Sequence, residues 1–437
     1  MYLLSGASTG FVVFFHGAFP FLLCIIFSGS IYFFVRDIKT RKDNFTTNPF
    51  FVPLTLYFTY CFIATCINGN AFAFFNNGAY VVHTAFFIYL CMIKEESEAI
   101  EERSFHQILW LIAGTVFFFV ITSLLTYIAR RLPLYQGLST PLKDFLNSSA
   151  GVGQRLYGTV GNANTLAYLI LYGFFLLLTL IYLTKNKNVK NFLFLFVVAT
   201  LVCLILTGAR GALLIVIMCV FLLFLSLYQR FKNHTEHKKK LFIAFLSLLI
   251  LCTIIGLFYI FSNSAFAIKG RTYFIERILR LNNLKTGDER LENWRIALSL
   301  LNIKTIWFGL SDSTLYHHYL SIGSDLAKYF INNEGRLHNY FMINLVSWGL
   351  PALLMFLFLL GKTAYVWLKV RHSFSGQKEV VMTLMMIQFV AMVMSAFFEQ
   401  LMLGTCTAIS LPTCFVWGYL ISEMEKVNPL EKKRNII

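Results

Sequence analysis

The sequence predicts an all-α polytopic membrane protein with about 11 transmembrane helices, within a range of roughly 10 to 12, and one large extracytoplasmic loop domain that contains helices of its own. Of its 437 residues, 57% are hydrophobic and 13% are charged, whereas soluble proteins average about half and about a quarter. The mean hydropathy is +0.67, and apolar runs of roughly 20 residues recur along the chain. This composition excludes an ordinary water-soluble globular protein.

The apolar runs define the predicted spans, because each is long enough to cross roughly 30 Å of hydrocarbon at about 1.5 Å per helical residue. They lie near residues 11–35, 50–67, 71–93, 108–128, 159–183, 192–207, 212–228, 241–261, 339–360, 380–398 and 401–421. We therefore predict transmembrane helices 1–8 in residues 1–261, the loop domain in 262–337, and transmembrane helices 9–11 with a basic cytoplasmic tail in 338–437.

The distribution of lysine and arginine predicts the orientation of the chain. With the N-terminus outside, the short inner segments carry 22 of the 37 basic residues and the short outer segments carry five. The remaining ten lie in the loop domain, which is too long for the positive-inside rule to apply. The net charge of +16 is thus accounted for by topology, and we expect no nucleic-acid partner. The start of the chain also lacks the pattern of a cleavable signal peptide.

The positions of the charged residues also bear on a transporter function. No lysine or arginine falls at the middle of a predicted span. On the outer side, Glu399 is an acidic residue at the end of a span, the tenth. Proton-coupled carriers usually place ionisable residues within the membrane. A transporter or flippase is therefore disfavoured.

The loop domain contains one clear helical pattern. Thr286 and Glu289 have the spacing of a capping box, and apolar residues follow at helical intervals. We predict a helix over 287–302 that packs on the outer ends of the spans, with Arg290 in its first turn and Arg295 bordering its apolar stripe.

Three polar motifs lie on the predicted outer side. In RLYGTVGNANTLA (155–167), a turn rich in glycine and asparagine precedes a span; its exposed N–H groups suit an anion or a sugar, and a plain junction with asparagine capping is the alternative. In LTGARGALL (206–214), Arg210 is held between two helix ends. Its guanidinium suits a phosphate, although an interfacial anchor remains open.

The third motif, RLHNYFMINLVSWGL (336–350), places His338 and Asn339 at the mouth of the ninth span. His338 could act as a general base on a hydroxyl at the membrane surface, and a helix cap or a packing residue is the alternative. His317 and His318 lie nearby in sequence, but no compact metal-ligand spacing accompanies them. We expect no metal and no other cofactor.

These features together suggest a particular donor. The outer side offers several arginines and one candidate base, but no paired acidic motif that would hold Mg²⁺ or Mn²⁺ for a nucleotide sugar. This pattern suits a donor whose leaving group is already a diphosphate, stabilised by arginines. A lipid-linked diphosphate sugar is such a donor.

Four motifs, in this order, resemble those of the O-antigen ligase and O-antigen polymerase superfamily of bacterial membrane glycosyltransferases. They are GTVGNANTLA before one span, LTGARGALL between two, RLENWRIAL in the loop domain and HNYFMINLVSWGL at the next span. The resemblance covers about residues 155–400. It implies a C-type glycosyltransferase-like architecture in the bacterial cytoplasmic (inner) membrane, independent of metal, with an undecaprenyl-diphosphate-linked oligosaccharide as donor.

The resemblance also implies roles for individual residues. His338 would be the general base, and Arg210 and Arg290, with Arg155 or Arg295, would hold the diphosphate. The remaining candidates are the asparagines of the substrate loops, Asn162, Asn164 and Asn339, and an accessory carboxylate, Glu399. For Glu399, a second base, a residue that orients the base and an exposed helix end all remain open.

The chain departs from the family pattern in three respects. Ala163 stands where the family often has proline between two asparagines, and Ala209 stands where serine often precedes the arginine. Neither change removes a proposed charge or base. Family members also commonly have an even number of spans with both termini inside, unlike the 11 predicted from this sequence.

The predicted function is polymerisation of a surface polysaccharide such as O-antigen, capsule or exopolysaccharide. The glycan would pass, with inversion, from its lipid diphosphate to the next lipid-linked repeat unit at the outer face. The alternative is a ligase that moves finished glycan to a lipid or protein acceptor. Expected partners are the lipid-linked donor, the glycan acceptor, the bilayer, and flippase and chain-length regulator proteins.

Overall fold

The computed structural model describes residues 48–68, 84–85, 88, 98–129, 156, 163–230, 285–303, 305–310, 337–399 and 410–427. Every regular element in these ranges is helical, and none is a strand. The helices are α1 Phe51–Asn68, α2 Glu98–Ala129, α3 Ala163–Leu183, α4 Lys187–Thr207, α5 Arg210–Arg230, α6 Lys285–Ser299, α7 Thr305–Phe308, α8 Tyr340–Trp348, α9 Leu350–Val370, α10 Gly376–Ser395 and α11 Ser410–Lys426. A 3₁₀ turn, Arg371–Ser373, follows α9.

Five stretches in the described residues are long and apolar enough to cross a membrane. They are Glu102–Ala129, Ala163–Leu183, Lys187–Thr207, Leu350–Ser373 and Gly376–Ser395. Two shorter apolar helices, Phe51–Ile67 and Arg210–Ser226, accompany them. The chain is therefore a multi-pass membrane protein, as the composition predicted. The predicted spans at 11–35 and 241–261 lie outside the described residues, so the total of 11 stays a prediction.

Helix α3 forms the centre of the described bundle. Inside the protein, 83% of its apolar window is buried, compared with 33% for each of the windows in α2 and α4. It packs against α2, α4, α5 and α10. On one side the approach is so close that a Cβ atom at Gly173 would overlap the side chain of Val116 on α2. Residues of α3 therefore contact several other helices of the described bundle.

The LTGARG motif forms a tight turn between α4 and α5. Gly208 takes the left-handed conformation (φ 62°) and donates its N–H to the carbonyl of Ile205, which ends α4. A glycine adopts this conformation without the steric cost that a Cβ atom imposes. Helix α5 then begins at Arg210, so the turn brings this arginine to a helix end, as predicted.

The predicted ninth span, 339–360, forms two helices and not one. Gly349 separates α8 from α9 with φ 89° and ψ 174°, a backbone region that is essentially restricted to glycine. The rings of Tyr340 and Phe341 lie 5.2 and 5.8 Å from that of Phe356 on α9, so α8 packs back on α9. The candidate span therefore starts at Leu350, and His338 is not at the start of a continuous transmembrane helix.

Helix α6 confirms the helix predicted at 287–302, with shifted ends. It runs over Lys285–Ser299 where 287–302 was predicted, so Thr286 lies inside its first turn and is not the N-cap. Near its end, Ala297 is buried with Leu337 and Val346, the latter on α8. Helix α6 therefore packs directly on the helix that follows His338.

Candidate functional site

Several helix ends meet at one place, which we call the helix-end junction. The N–H of Tyr340, at the start of α8, donates to the carbonyl of Ala396, just after α10, at 2.7 Å. The amide of Asn164, at the start of α3, reaches Glu399 from the same segment. The start of α5 belongs to the same place, because its Gly211 lies beside Phe398. The junction therefore comprises the starts of α3, α5 and α8 and the segment Ala396–Glu399.

His338 is a buried residue of the junction with an unusual backbone. Its Nδ1 lies 3.0 Å from Oε2 of Glu399, and only 9% of the residue is exposed. Its φ of 50° makes it the one non-glycine residue with positive φ in the described part of the chain. Such a conformation persists where the surroundings hold it, and the neighbouring residues on both sides are held by hydrogen bonds.

The two neighbours of His338 anchor it in different ways. Before it, the carbonyl of Leu337 accepts a 2.7 Å hydrogen bond from Nε1 of Trp294 on α6. After it, Asn339 is the N-cap of α8: its Oδ1 accepts from the N–H of Met342 at 3.0 Å, and its Nδ2 donates to the carbonyl of Phe397 at 3.3 Å. The capping role considered for His338 is thus filled by Asn339.

Glu399 is buried, with only 5% exposed, so the interpretation of this residue as an exposed helix end is wrong. Its two carboxylate oxygens have different partners. Oε2 faces Nδ1 of His338 at 3.0 Å, and Oε1 accepts from Nδ2 of Asn164 at 2.9 Å. When Glu399 is ionised it can only accept hydrogen bonds; the tautomer of His338 with its hydrogen on Nδ1 suits that contact and has Nε2 as its acceptor nitrogen.

One face of α3 carries polar side chains at intervals of four residues. Asn164, Tyr168 and Tyr172 follow each other at this spacing, which places them along one side of a helix. Asn164 binds Glu399, and the hydroxyl of Tyr172 is hydrogen-bonded to Oγ of Ser395 on α10. The hydroxyl of Tyr168 lies against Gly211 on α5. This face therefore contacts both α10 and the helix that begins at Arg210.

Arg210 is exposed at the start of α5, and its neighbour Gly211 shows what lies beside it. A Cβ atom at Gly211 would be 2.8 Å from the hydroxyl of Tyr168 and 3.2 Å from Cγ of Phe398. Since Phe398 directly precedes Glu399, the arginine-bearing end of α5 packs next to the segment that carries the carboxylate. Arg210, predicted between two helix ends, and Glu399, predicted at the outer end of the tenth span, thus lie at the same junction.

The other predicted arginines are described less completely. Arg295 is exposed on α6, directly after Trp294. Arg290 lies in the same helix, but its side chain is outside the described residues. Arg155 and Asn162 are also outside them, as are His317 and His318. Leu156, which follows Arg155, is described, and its N–H donates to the carbonyl of Leu206 at the end of α4.

Residues 194–357 match the family model described as O-antigen ligase. Over these residues the chain is similar to that family. The predicted resemblance to the O-antigen ligase and polymerase superfamily is thereby confirmed. Among curated proteins, none matches the chain.

The match to this family indicates an enzyme at a coarse level. Members are glycosyltransferase-like ligases and polymerases, and the chain is accordingly associated with polysaccharide biosynthesis at a membrane. The matched residues include Arg210, Arg290, Arg295, His338 and Asn339. Asn164 lies before the matched residues and Glu399 lies after them. Glu399 contacts both His338 and Asn164, so it links the matched residues to the region before them.

Some contacts of the junction had no counterpart in the sequence analysis. Trp294 was interpreted only as part of an apolar stripe, although its indole N–H holds the backbone next to His338. Tyr168 and Tyr172 were hidden in an apolar span. The intervals of four residues between Asn164, Tyr168 and Tyr172 were the available signal, because aligned polar groups on a buried helix usually have partners.

Proposed function

We propose that the protein polymerises a bacterial surface polysaccharide by transferring an undecaprenyl-diphosphate-linked glycan onto the next lipid-linked repeat unit at the outer face of the membrane. The observation that carries the proposal is the buried pair of His338 and Glu399. It lies beside the helix end that bears Arg210 and at the edge of the residues that match the O-antigen ligase family. A base and a cation placed at one junction suit the transfer of a sugar from a diphosphate.

In the proposed mechanism, Nε2 of His338 takes the proton of an acceptor hydroxyl. The acceptor oxygen attacks the anomeric carbon from the face opposite the diphosphate, and the bond from that carbon to the diphosphate oxygen breaks. The product is an inverted glycosidic bond and a free lipid diphosphate. Glu399 stabilises the imidazolium through Nδ1. A diphosphate leaves as an anion, so this site does not need the second carboxyl group that glycosidases use as an acid.

Arginines would stabilise the leaving diphosphate. Arg210 is the first candidate because α5 begins at the junction. Arg290 and Arg295 lie on α6, which packs against α8, and Arg155 precedes a residue bonded to the end of α4. We propose that Arg210 and Arg290, with Arg155 or Arg295, bind the diphosphate, and that no metal takes part.

We propose that the chain has 11 spans, with the N-terminus outside and the C-terminus in the cytoplasm; the described helix ends support the orientation. Helices α3 and α10 are antiparallel, because the start of α3 meets the segment after α10. The end of α3 and the start of α10 therefore lie at the same end of the bundle. Lys185 and Lys187 follow the end of α3, and Lys378 lies in the first turn of α10. Basic residues concentrated at that end favour its placement in the cytoplasm, which would put the junction at the outer face of the inner membrane.

A ligase is the second candidate, favoured by the description of the matched family. It would use the same donor site and the same base, and would differ only in its acceptor. Deletion of the gene and sizing of the glycan separate the two. A strain that makes only single repeat units supports the polymerase. Long lipid-linked chains that never reach their acceptor would contradict the polymerase and support the ligase.

The chemistry itself is tested by restoring the deletion strain with variants. His338→Ala is expected to lower glycan transfer by about 100-fold or more, the usual contribution of a general base. The matched control is His372→Ala, which removes an exposed histidine in the 3₁₀ turn at the opposite end of the bundle. Both proteins should insert at wild-type levels. Wild-type transfer by His338→Ala would exclude this residue as the base.

Arg210→Ala tests the diphosphate site. The loss of one preorganised cation at the leaving group is expected to lower kcat by about 100-fold. Arg371→Ala, which removes an exposed arginine far from the junction, serves as the control. Equal transfer rates for the two variants would remove Arg210 from the proposed site.

A further inference from the structure

Glu399 needs an external support to face His338. Helix α10 ends at Ser395, and Glu399 follows a short turn, Ala396–Phe398. A glutamate side chain beyond a helix end has several rotatable bonds, and its Oε2 is the oxygen that faces Nδ1 of His338. The other oxygen must be held if the carboxylate is to keep a single orientation.

Helix α3 supplies that support at two levels. Asn164 donates its Nδ2 to Oε1 of Glu399 at 2.9 Å, which restrains the carboxylate group directly. Two turns further along the same face, the hydroxyl of Tyr172 is hydrogen-bonded to Oγ of Ser395, and the carbonyl of Ser395 accepts the N–H of Glu399 at 2.9 Å. Both the backbone and the side chain of Glu399 are thus held from one helix face.

We propose that Asn164 is a positioning residue of the transferase site: it orients Glu399, which in turn orients His338 as the general base. This inference rests on the proposed function. It assigns Asn164 a role in catalysis through Glu399, whereas the sequence motif suggested a contact of this asparagine with the substrate.

The chemistry of the three groups favours a relay of this kind. An amide N–H is a donor that carries no charge, so it fixes the carboxylate without competing with the imidazole for the negative charge. A lysine or arginine in its place would neutralise Glu399 and weaken its stabilisation of the imidazolium. A base held in turn by two supporting groups is also the general arrangement of activated sites in which orientation matters.

The test is a double-mutant cycle on the full-length protein. The probe is the lipid-linked glycan extracted from membranes of a strain that lacks the gene, and kcat and KM are measured for each variant. Asn164→Leu removes the donor with little change in size, and we expect kcat to fall about 10- to 100-fold, which corresponds to one charge-assisted hydrogen bond. KM should change by less than about twofold, since substrate binding is retained.

The cycle distinguishes positioning from a substrate contact. If Asn164 acts through Glu399, the double variant Asn164→Leu, Glu399→Gln should be no less active than Glu399→Gln alone. Losses that multiply in the double variant, or a raised KM with unchanged kcat, would overturn the inference. His338→Ala is assayed in parallel. Full activity of that variant would refute the proposed function itself, whatever the outcome of the cycle.

Two further variants separate positioning from folding. Asn164→Gln keeps the amide donor and is expected to be about tenfold more active than Asn164→Leu, whereas equal activity of the two at equal amounts of folded protein would overturn the inference. Asn188→Leu is the matched control, because Asn188 is exposed in the first turn of α4, at the far end of α3. It should retain wild-type kcat.

Discussion

The indole Nε1 of Trp294 donates a 2.7 Å hydrogen bond to the carbonyl of Leu337, the residue directly before His338. This bond joins the loop-domain helix α6 to the backbone that holds His338 at φ 50°. The helix that bears Arg290 and Arg295 is therefore hydrogen-bonded to the backbone next to the candidate base. The hydrogen bond from α6 is one of the contacts that hold the backbone next to the histidine.

Trp294→Phe should reduce glycan transfer without removing the apolar ring from the interface. The lost hydrogen bond is worth about 1 kcal/mol, so we expect roughly a fivefold lower rate. The rate is measured at matched protein levels against Trp307→Phe, in which the changed indole is 57% exposed. Equal rates for the two variants would show that the bond to Leu337 does not influence the site.

Gly211→Ala should disturb the spacing between α5 and the segment of Glu399. The added Cβ atom would lie 2.8 Å from the hydroxyl of Tyr168 and 3.2 Å from Cγ of Phe398, and such overpacking usually costs about 1–3 kcal/mol. We expect a transfer rate lowered about tenfold. Gly361→Ala is the control, since nothing lies within 4 Å of a Cβ atom there.

A second substitution tests this explanation for Gly211. Tyr168→Phe removes the nearer of the two obstructing atoms and should partly restore transfer when combined with Gly211→Ala. If the double variant is no more active than Gly211→Ala, the hydroxyl of Tyr168 is not what the new methyl group meets.

Gly349→Ala and Gly376→Ala form a matched pair that tests the break between α8 and α9. Both glycines have positive φ, 89° and 61°, but a Cβ atom at Gly349 would overlap the backbone carbonyl of Trp307, whereas at Gly376 it would meet nothing within 4 Å. We expect Gly376→Ala to cost about 1–2 kcal/mol and Gly349→Ala about 3 kcal/mol or more. The Tm and the yield of monodisperse purified protein provide the measurement, and similar losses would contradict the close approach.

Glu423 predicts an acid-sensitive contribution to stability at the end of α11, just beyond the predicted span 401–421. Burial by itself would raise the pKa of its carboxyl, but hydrogen bonds from Lys378 and Lys426 hold that pKa below its ordinary value. A carboxyl with a lower pKa in the folded state stabilises the protein above its unfolded pKa, and this contribution is lost as the pH falls through the folded pKa.

The comparison of wild type with Glu423→Gln checks this sign. The Tm difference between them should be constant near neutral pH and should shrink below about pH 4. Glu379→Gln, which changes a carboxyl in the first turn of α10, serves as the control. A Tm difference for Glu423→Gln that does not depend on pH would show that its ion pairs do not stabilise the folded protein.

Local sequence patterns predicted much of the described fold. Apolar runs of membrane-spanning length became helices, because in hydrocarbon a lone chain satisfies its backbone hydrogen bonds by coiling. The motif around Gly208 became a turn that ends one helix and starts another at Arg210. The break at Gly349 was missed, since a single glycine in an apolar run does not reveal that a carbonyl from Trp307 will lie against it.

The partners of Glu399 could not be predicted from the sequence. Its contact with His338 spans 61 positions in the chain and that with Asn164 spans 235. At such distances no periodicity links the residues. The antiparallel packing of α3 and α10 brings Asn164 to Glu399, and the contact of the start of α8 with Ala396 brings His338 there. For the same reason the sequence did not reveal that Glu399 is buried, and an exposed helix end was among the interpretations left open for it.

The sequence by itself determined the class of protein, the helical character of its apolar runs and the residue types available at the candidate site, because these depend on composition and on local spacing. Only the tertiary structure decided that His338, Glu399 and Asn164 form one chain of hydrogen bonds beside the helix that starts at Arg210. A buried carboxylate requires partners, and which partners it finds depends on how distant helices pack.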